Sequence, residues 1–152
     1  MASDTDRIEK EIVINAPREK VWRALTDAKQ FGAWFGVDIS GTFEPGARIE
    51  GRILHEKWSH VPFVIDIDRV VAGVLLAWRW ANPDPTGPID LSQEPSSYVT
   101  FELSDAPGGG THLKVIESGL DALPASRRAS VFRDNTNGWT SQMQNIRKYV
   151  EG

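Results

Sequence analysis

The sequence predicts an α+β chain in which one long C-terminal helix closes a curved antiparallel sheet around an apolar cavity. Period-two alternation of apolar and polar residues recurs in separate segments between Ile8 and Val115, which is the pattern of strands with one wet face. From Phe132 to Val150 the apolar positions instead step by three and four, giving a single helical stripe. At 152 residues the chain fits one domain, long enough to bury roughly two-thirds of its unfolded surface and to form a core without staples.

Ile8, Lys10, Ile12 and Ile14 alternate with Glu9, Glu11 and Val13, so a first strand opens the chain. Asn15-Ala16-Pro17 then carries helix-start chemistry. Val21, Trp22 and Leu25 share a face of the short helix that follows; Phe31, Trp34 and Phe35 form a second short helix broken by Gly32 and Gly36. After the turn Glu44-Pro45-Gly46, Ala47, Ile49, Gly51 and Ile53 alternate with Arg48, Glu50 and Arg52 as a strand. Phe63, Ile65 and Ile67 mark the next strand, and Ala72-Gly73 turns it into Val74 to Trp80, a hairpin. Asn82 to Ser96 holds four prolines and Gly87, which predicts a long loop at the rim. Val99, Phe101 and Leu103, the Gly108-Gly109-Gly110 turn, then Leu113 and Val115 make a second hairpin. Pro124 to Val150 is helical by period, although Asn135, Thr136, Asn137 and Gly138 are poor helix formers at its middle and leave open one bent helix or two.

The totals exclude several classes of function. Lys plus Arg number 17 against 21 Asp plus Glu, so a formal charge of -4 offers no basic footprint for nucleic acid or anionic lipid. The absence of cysteine removes disulfides, thiolate metal sites and a Cys nucleophile. No apolar stretch approaches the length of a membrane span and the N-terminus is polar, so no membrane insertion is expected and the compartment read from the residues is cytoplasmic.

Several short motifs sharpen the fold. Ile14-Asn15-Ala16-Pro17 with Val21-Trp22-Arg23-Ala24-Leu25-Thr26, then Trp34-Phe35, Trp78-Arg79-Trp80, Gly109-Gly110-Thr111-His112-Leu113, Glu117-Ser118-Gly119-Leu120 and Asn137-Gly138-Trp139 follow one another along nearly the whole chain. In this order they resemble the activator-of-heat-shock-protein-90-ATPase homologue family of the START-like (SRPBCC) superfamily, whose fold is the helix grip. The resemblance implies a single START-like domain over residues 1–152 with a cavity between sheet and C-terminal helix. Relatives use that cavity for lipid or hormone binding, polyketide cyclisation or ring hydroxylation, or serve as co-chaperones. The Cys and His pairs of a Rieske cluster are missing here, which removes the hydroxylase branch.

A cavity of this kind needs an occupant. Leaving about 300 Å³ dry, at ~24 cal/mol per Å³, would cost ~7 kcal/mol, comparable to the stability of a whole domain. Side chains, hydrogen-bonded water or a ligand must fill it, and six tryptophans with six phenylalanines are bulk enough for the first. The positions expected to line it are Trp34 on the second helix, Ile49 and Ile53 on one strand, and Phe63 and Ile65 on the next. Trp78, Trp80, Phe101 and Val115 follow on the later strands, with Trp139 and Met143 from the long helix. Indoles supply broad stacking surfaces and one N–H donor each, and core packing alone explains them equally well.

Glu117 continues the inward row Leu113, Val115 and so puts a carboxylate at the end of an apolar stripe. Burial disfavours the charged form and suits such a group to acid/base work, which makes Glu117 the catalytic candidate. A place at the strand's wet end, or pairing with an arginine, accounts for it too. His55 and His60 lie five apart in a strand-loop context, not the spacing of a zinc helix, so no metal is expected; His55, Trp58 and His60 remain as ligand contacts at a cavity mouth. Arg52 and Arg79 fall on the outer sheet face, and Arg127-Arg128 and Arg147-Lys148 on a solvated helix face.

Three functions fit these residues. The first is binding of a small hydrophobic or amphipathic molecule in the cavity, without a cofactor. The second is a cyclase- or hydrolase-type enzyme using Glu117 as acid/base, with His55 or His60. The third is a co-chaperone-like interaction module with a filled cavity, its partner a chaperone or a second copy of the chain.

Overall fold

The computed structural model describes residues 3–152. Strand β1 (Ile8–Ile14) leads into helices α1 (Arg18–Thr26) and α2 (Ala28–Phe35), followed by β2 (Val37–Ser40), β3 (Arg48–Ile53), β4 (Pro62–Val71) and β5 (Leu75–Ala81). Strands β6 (Ser96–Ala106) and β7 (Gly110–Ser118) complete the sheet, and α3 (Ala125–Glu151) ends the chain. The seven strands run antiparallel in the order β1-β7-β6-β5-β4-β3-β2, so the two strands that flank the helical pair lie at opposite edges. This is the expected helix grip: α+β, with a curved, open sheet, two short helices after the first strand and a long C-terminal helix.

Alternation places the inner face. Ile49, Phe63, Ile65, Ile67, Leu76, Trp78, Val99, Phe101, Leu113 and Val115 are all buried and join one apolar cluster with α1, α2 and α3. Arg52 and Arg79 are exposed, in line with the outward register. The helical stripe divides along its length: Phe132 and Thr136 are half-buried, whereas Trp139, Met143, Ile146 and Val150 are buried. The C-terminal half of α3 therefore seals the core while its N-terminal half borders open space. α3 also resolves the choice left by its middle residues, because it is one continuous helix through Asn135–Gly138.

Two features depart from the sequence reading. The long rim segment carries a short 3₁₀ turn over Leu91–Gln93, where Asp90 caps with its side chain. A four-residue strand, β2, precedes β3 where alternation is too short to register. Its entry is set by Gly36, which takes φ 90° as the left-handed cap of α2, the conformation glycine adopts without steric cost. Gly51 on β3 lets β2 approach closely: a Cβ there would stand 2.0 Å from the Asp38 carbonyl oxygen.

The strand register gives the sheet two ends. At one, Ile14 faces Thr111 and Leu103 faces Leu113, and Leu76 faces Phe101 midway along the inner row. Thr111 there spends its hydroxyl on the Ala16 carbonyl at 2.7 Å, fixing the entry to α1. At the other end Val99 faces Glu117, Trp80 faces Ser97 and Arg52 faces Pro62. The rim segments 54–61 and 82–95 leave the sheet from this second end.

Candidate functional site

The space between sheet and α3 is filled by aromatic rings. Trp78 lies 4.9 Å from Trp80 and 5.9 Å from Phe101, centroid to centroid, and Trp139 lies 5.7 Å from Trp80 and 5.8 Å from Phe101. Phe35 extends the stack outward at 5.6 Å from Phe63 and 6.2 Å from Trp80. These are the edge-to-face and tilted separations that aromatic side chains favour, and they leave the centre packed. Trp78 has its indole N–H buried without a hydrogen-bond partner among the described residues.

Open space lies at the rim. One cleft of about 640 Å³ is lined by Phe35, Val37, Ile53, Leu54, Phe63 and Trp80, with His55, Trp58 and Gln142 at its border. A second, of about 770 Å³, lies against the N-terminal half of α3 and is lined by Asn82, Pro83, Asp84, Arg127, Asp134 and Asn135 among others. Ile53 and Trp58 line both, so the two meet there. Each falls in the range of roughly 300–1,000 Å³ usual for small-molecule sites. His60 braces the mouth, its imidazole Nε2 lying 3.0 Å from the Pro85 carbonyl oxygen and tying the two rim segments together.

Beneath the clefts sits Glu117, fully buried. Its carboxylate meets four donors and, among the described residues, no cation: the Trp80 indole at 2.8 Å and the Ser97 hydroxyl at 2.6 Å donate to Oε2, while the Trp139 indole at 2.9 Å and the Asn135 amide at 3.0 Å donate to Oε1. Neither the wet strand end nor an arginine partner describes it. The shell continues, because Asn82 donates to the Ser97 hydroxyl at 3.1 Å and accepts from Asn135 at 2.9 Å. Two acceptor oxygens against four donors is the hydrogen count of an ionised carboxylate, which accepts only. Charge-assisted bonds of about 1.5–3 kcal/mol each offset the cost of burying that charge.

Several expected lining residues reach the clefts and others do not. Ile53, His55, Phe63 and Trp80 line the apolar cleft, as does Trp58. Ile49, Ile65, Trp78, Phe101, Val115, Trp139 and Met143 lie in the packed core. Trp34 is buried between the two short helices, its indole donating to the Ala24 carbonyl at 2.7 Å. His55 is exposed, and its Nδ1 accepts from the Lys57 backbone N–H at 3.2 Å.

Phe35, Asn82, Ser97, Arg127 and Asn135 escaped the sequence reading of the site. Asn135 did leave a signal, as a poor helix former inside a helical period; its amide is spent on Glu117 and Asn82. Arg127 is held at the second cleft by Glu94 at 2.8 Å and by the Asn82 carbonyl at 2.8 Å. Among the described residues, no group of three or more His, Asp or Glu is placed to hold a metal, and no helix is long and apolar enough to cross a membrane.

The comparisons with known proteins agree with this architecture. The model of the family described as Activator of Hsp90 ATPase homolog 1-like protein matches residues 15–151. A protein of Mesorhizobium loti has a similar structure at 23% identity and a TM-score of 0.75, with 95% of this chain and 96% of that chain covered. The Aha1 dimer of Colwellia psychrerythraea, solved in solution, is 18% identical with a TM-score of 0.73 over 95% and 96% of the two chains. DynU16, described as a putative protein in the dynemicin biosynthetic locus, is 25% identical with a TM-score of 0.71; the match takes in 96% of this chain but 47% of DynU16. No curated protein matches the chain in sequence. With the family's model running from just after β1 to the last residue of α3, this chain belongs to the Activator of Hsp90 ATPase homolog 1-like protein family.

Proposed function

We propose that the protein binds a small amphipathic molecule in the paired clefts at the rim of the sheet, its apolar part against Phe35, Ile53, Phe63 and Trp80 and its polar part toward Asn82 and Asn135. The observation that carries this reading is the meeting of an aromatic-walled cleft and a polar one at Ile53 and Trp58. An apolar pocket with a few convergent polar groups is the usual form of a ligand site. The likeness to a protein from a biosynthetic locus is consistent with a small-molecule role. Glu117 supports this role more than proton transfer, because its oxygens are already committed to four donors and it lies beneath the cleft walls.

Trp58 is 39% exposed and stands where the clefts meet, so its emission reports on occupancy. Titration of the protein with fatty acids, flavonoids, sterols and small aromatic polyketides is expected to give saturable quenching or a blue shift at micromolar ligand, diminished in Trp58→Phe. No response across the panel, with emission already blue, would move the function to the interaction module of the filled-core kind.

A further inference from the structure

The apolar cleft is walled by aromatic faces and underlain by a negative charge. Phe35, Trp58, Phe63 and Trp80 line it, and no Lys, Arg, Asp or Glu does among the described residues. Aromatic faces carry negative quadrupole potential and hold cations, and Lys57 Nζ already stands 5.6 Å from the centre of the Trp58 ring, from the side chain that lines the second cleft. Directly behind the wall, the Trp80 indole N–H touches the Glu117 carboxylate at 2.8 Å. The four groups bonded to Glu117 are all neutral, so its charge is spread over dipoles but not cancelled. The second cleft carries charges of both signs, Lys57 and Arg127 with Asp84 and Asp134, and of these Arg127 is paired with Glu94 and Asp134 with Arg133. Glu117, with no ion-pair partner among the described residues, is thus a charge near the site that no cation offsets, and its fully buried position weakens screening by solvent and salt.

We propose that the apolar cleft selects ligands bearing a positive charge, such as an ammonium on an aromatic or aliphatic body, over anionic ligands of the same shape, and that Glu117 sets this selectivity without touching the ligand. The inference rests on the ligand-binding reading above and narrows it to a chemical class. Glu117 is a positioning and specificity-determining residue in this account: one carboxylate fixes Trp80, a wall of the apolar cleft, and Asn135, a wall of the polar one, and biases the potential between them. The net charge of -4, to which Glu117 contributes one unit, favours cations too, but the exposed part acts only as a screened, long-range effect, and salt separates the two causes.

The test uses three probes with one aromatic body: 2-naphthylmethylamine as the cation, 2-naphthylmethanol as the neutral form and 2-naphthoate as the anion. Binding is read from the indole N–H signals of the full-length, nitrogen-15-labelled protein, in about 0.02 M and about 0.5 M salt. The amine is expected to bind about tenfold more tightly than the naphthoate, with at least half of that ratio kept at the higher salt, as a buried charge requires. Glu117→Gln is expected to bring the ratio to about twofold or less, since it removes the charge from the same shape. Equal affinities, an anion preference, a preference that vanishes in high salt, or one unchanged in Glu117→Gln would overturn the proposal while leaving the cleft a binding site. If Glu117→Gln does not fold, the two-salt comparison on the wild-type protein decides alone. If none of the three probes moves an indole signal at millimolar concentration, the ligand-binding reading falls and the charge selectivity falls with it.

Discussion

The two ends of the sheet are built from different materials. Around Ile14, Leu76, Leu103 and Leu113 the inner face is aliphatic and sealed by α1, and its one buried hydroxyl, on Thr111, is spent on backbone. Around Trp80, Ser97 and Glu117 the inner face is aromatic and polar, and the rim segments beyond it leave open clefts. One sheet carries both. Apolar burial without direction holds the first end, and directed hydrogen bonds to one carboxylate hold the second. Non-directional packing tolerates substitution if volume is kept, whereas a directed network depends on each member, so shape can be specified at the second end at little apolar cost.

The sharpest way to separate core from site is to open a hole between the two ends. Phe101 is fully buried within the ring stack, and Phe101→Ala is expected to cost about 3–5 kcal/mol of unfolding free energy in denaturant titration. A loss under about 1 kcal/mol would mean that the rings collapse into the gap and that the interior is more plastic than its packing implies. A smaller effect tests the directed end: Asn135→Leu keeps bulk on α3 but removes one donor to Glu117 and one to Asn82. The expected cost is about 1–2 kcal/mol, accompanied by a change in the Trp80 and Trp139 indole N–H shifts, because those donors share the same carboxylate. Unmoved indole signals would detach Asn135 from the network.

The smallest effect lies on the outer face, where neither end has a stake. There the Tyr98 hydroxyl donates to Asp68 at 2.6 Å, and that bond, with Arg79 beside it, holds the Asp68 carboxyl below the usual carboxylate range. Tyr98 itself is pushed above its usual value, by burial first and by Asp68 second. A lowered folded-state value contributes stability above the unfolded value and loses it as pH falls through the folded one. Tyr98→Phe should therefore raise the titration midpoint of Asp68, measured by carboxyl NMR, and make this acid loss smaller and complete at a higher pH. An unchanged midpoint would give Arg79 the whole effect.

How much of this was legible in the sequence follows the same division. Period-two alternation located β1 and β3 to β7, and the stripe from Phe132 to Val150 located α3, because packing against one layer imposes a repeat. β2 was not legible: four residues between Gly36 and Gly41 are too few for a period, and the pairing with β3 makes them a strand. At the site, the inward row through Val115 found Glu117, but its partners come from β5, β6 and α3, far apart along the chain, and no local pattern joins them. The clefts depend on where two breaker-rich rim segments settle, which alternation does not encode. The aromatic content did signal that the interior could be filled by its own side chains, and the rings occupy it.

The position of Glu117 in the chain has a consequence for biosynthesis. Synthesis proceeds at about 5–20 residues per second from the N-terminus, so β6 and β7 leave the ribosome with Ser97 and Glu117 before Asn135 and Trp139 exist. β1 must also wait, since Ile8 pairs with Glu117, and the backbone N–H of Asn15 is bound by Glu151 at the far end of α3. Until α3 docks, the carboxylate lacks both donors to Oε1 and keeps its water. Helix α3 is thus the element that dehydrates the charge, and a nascent chain cut short before Asn135 leaves the Glu117 carboxylate without either donor to Oε1.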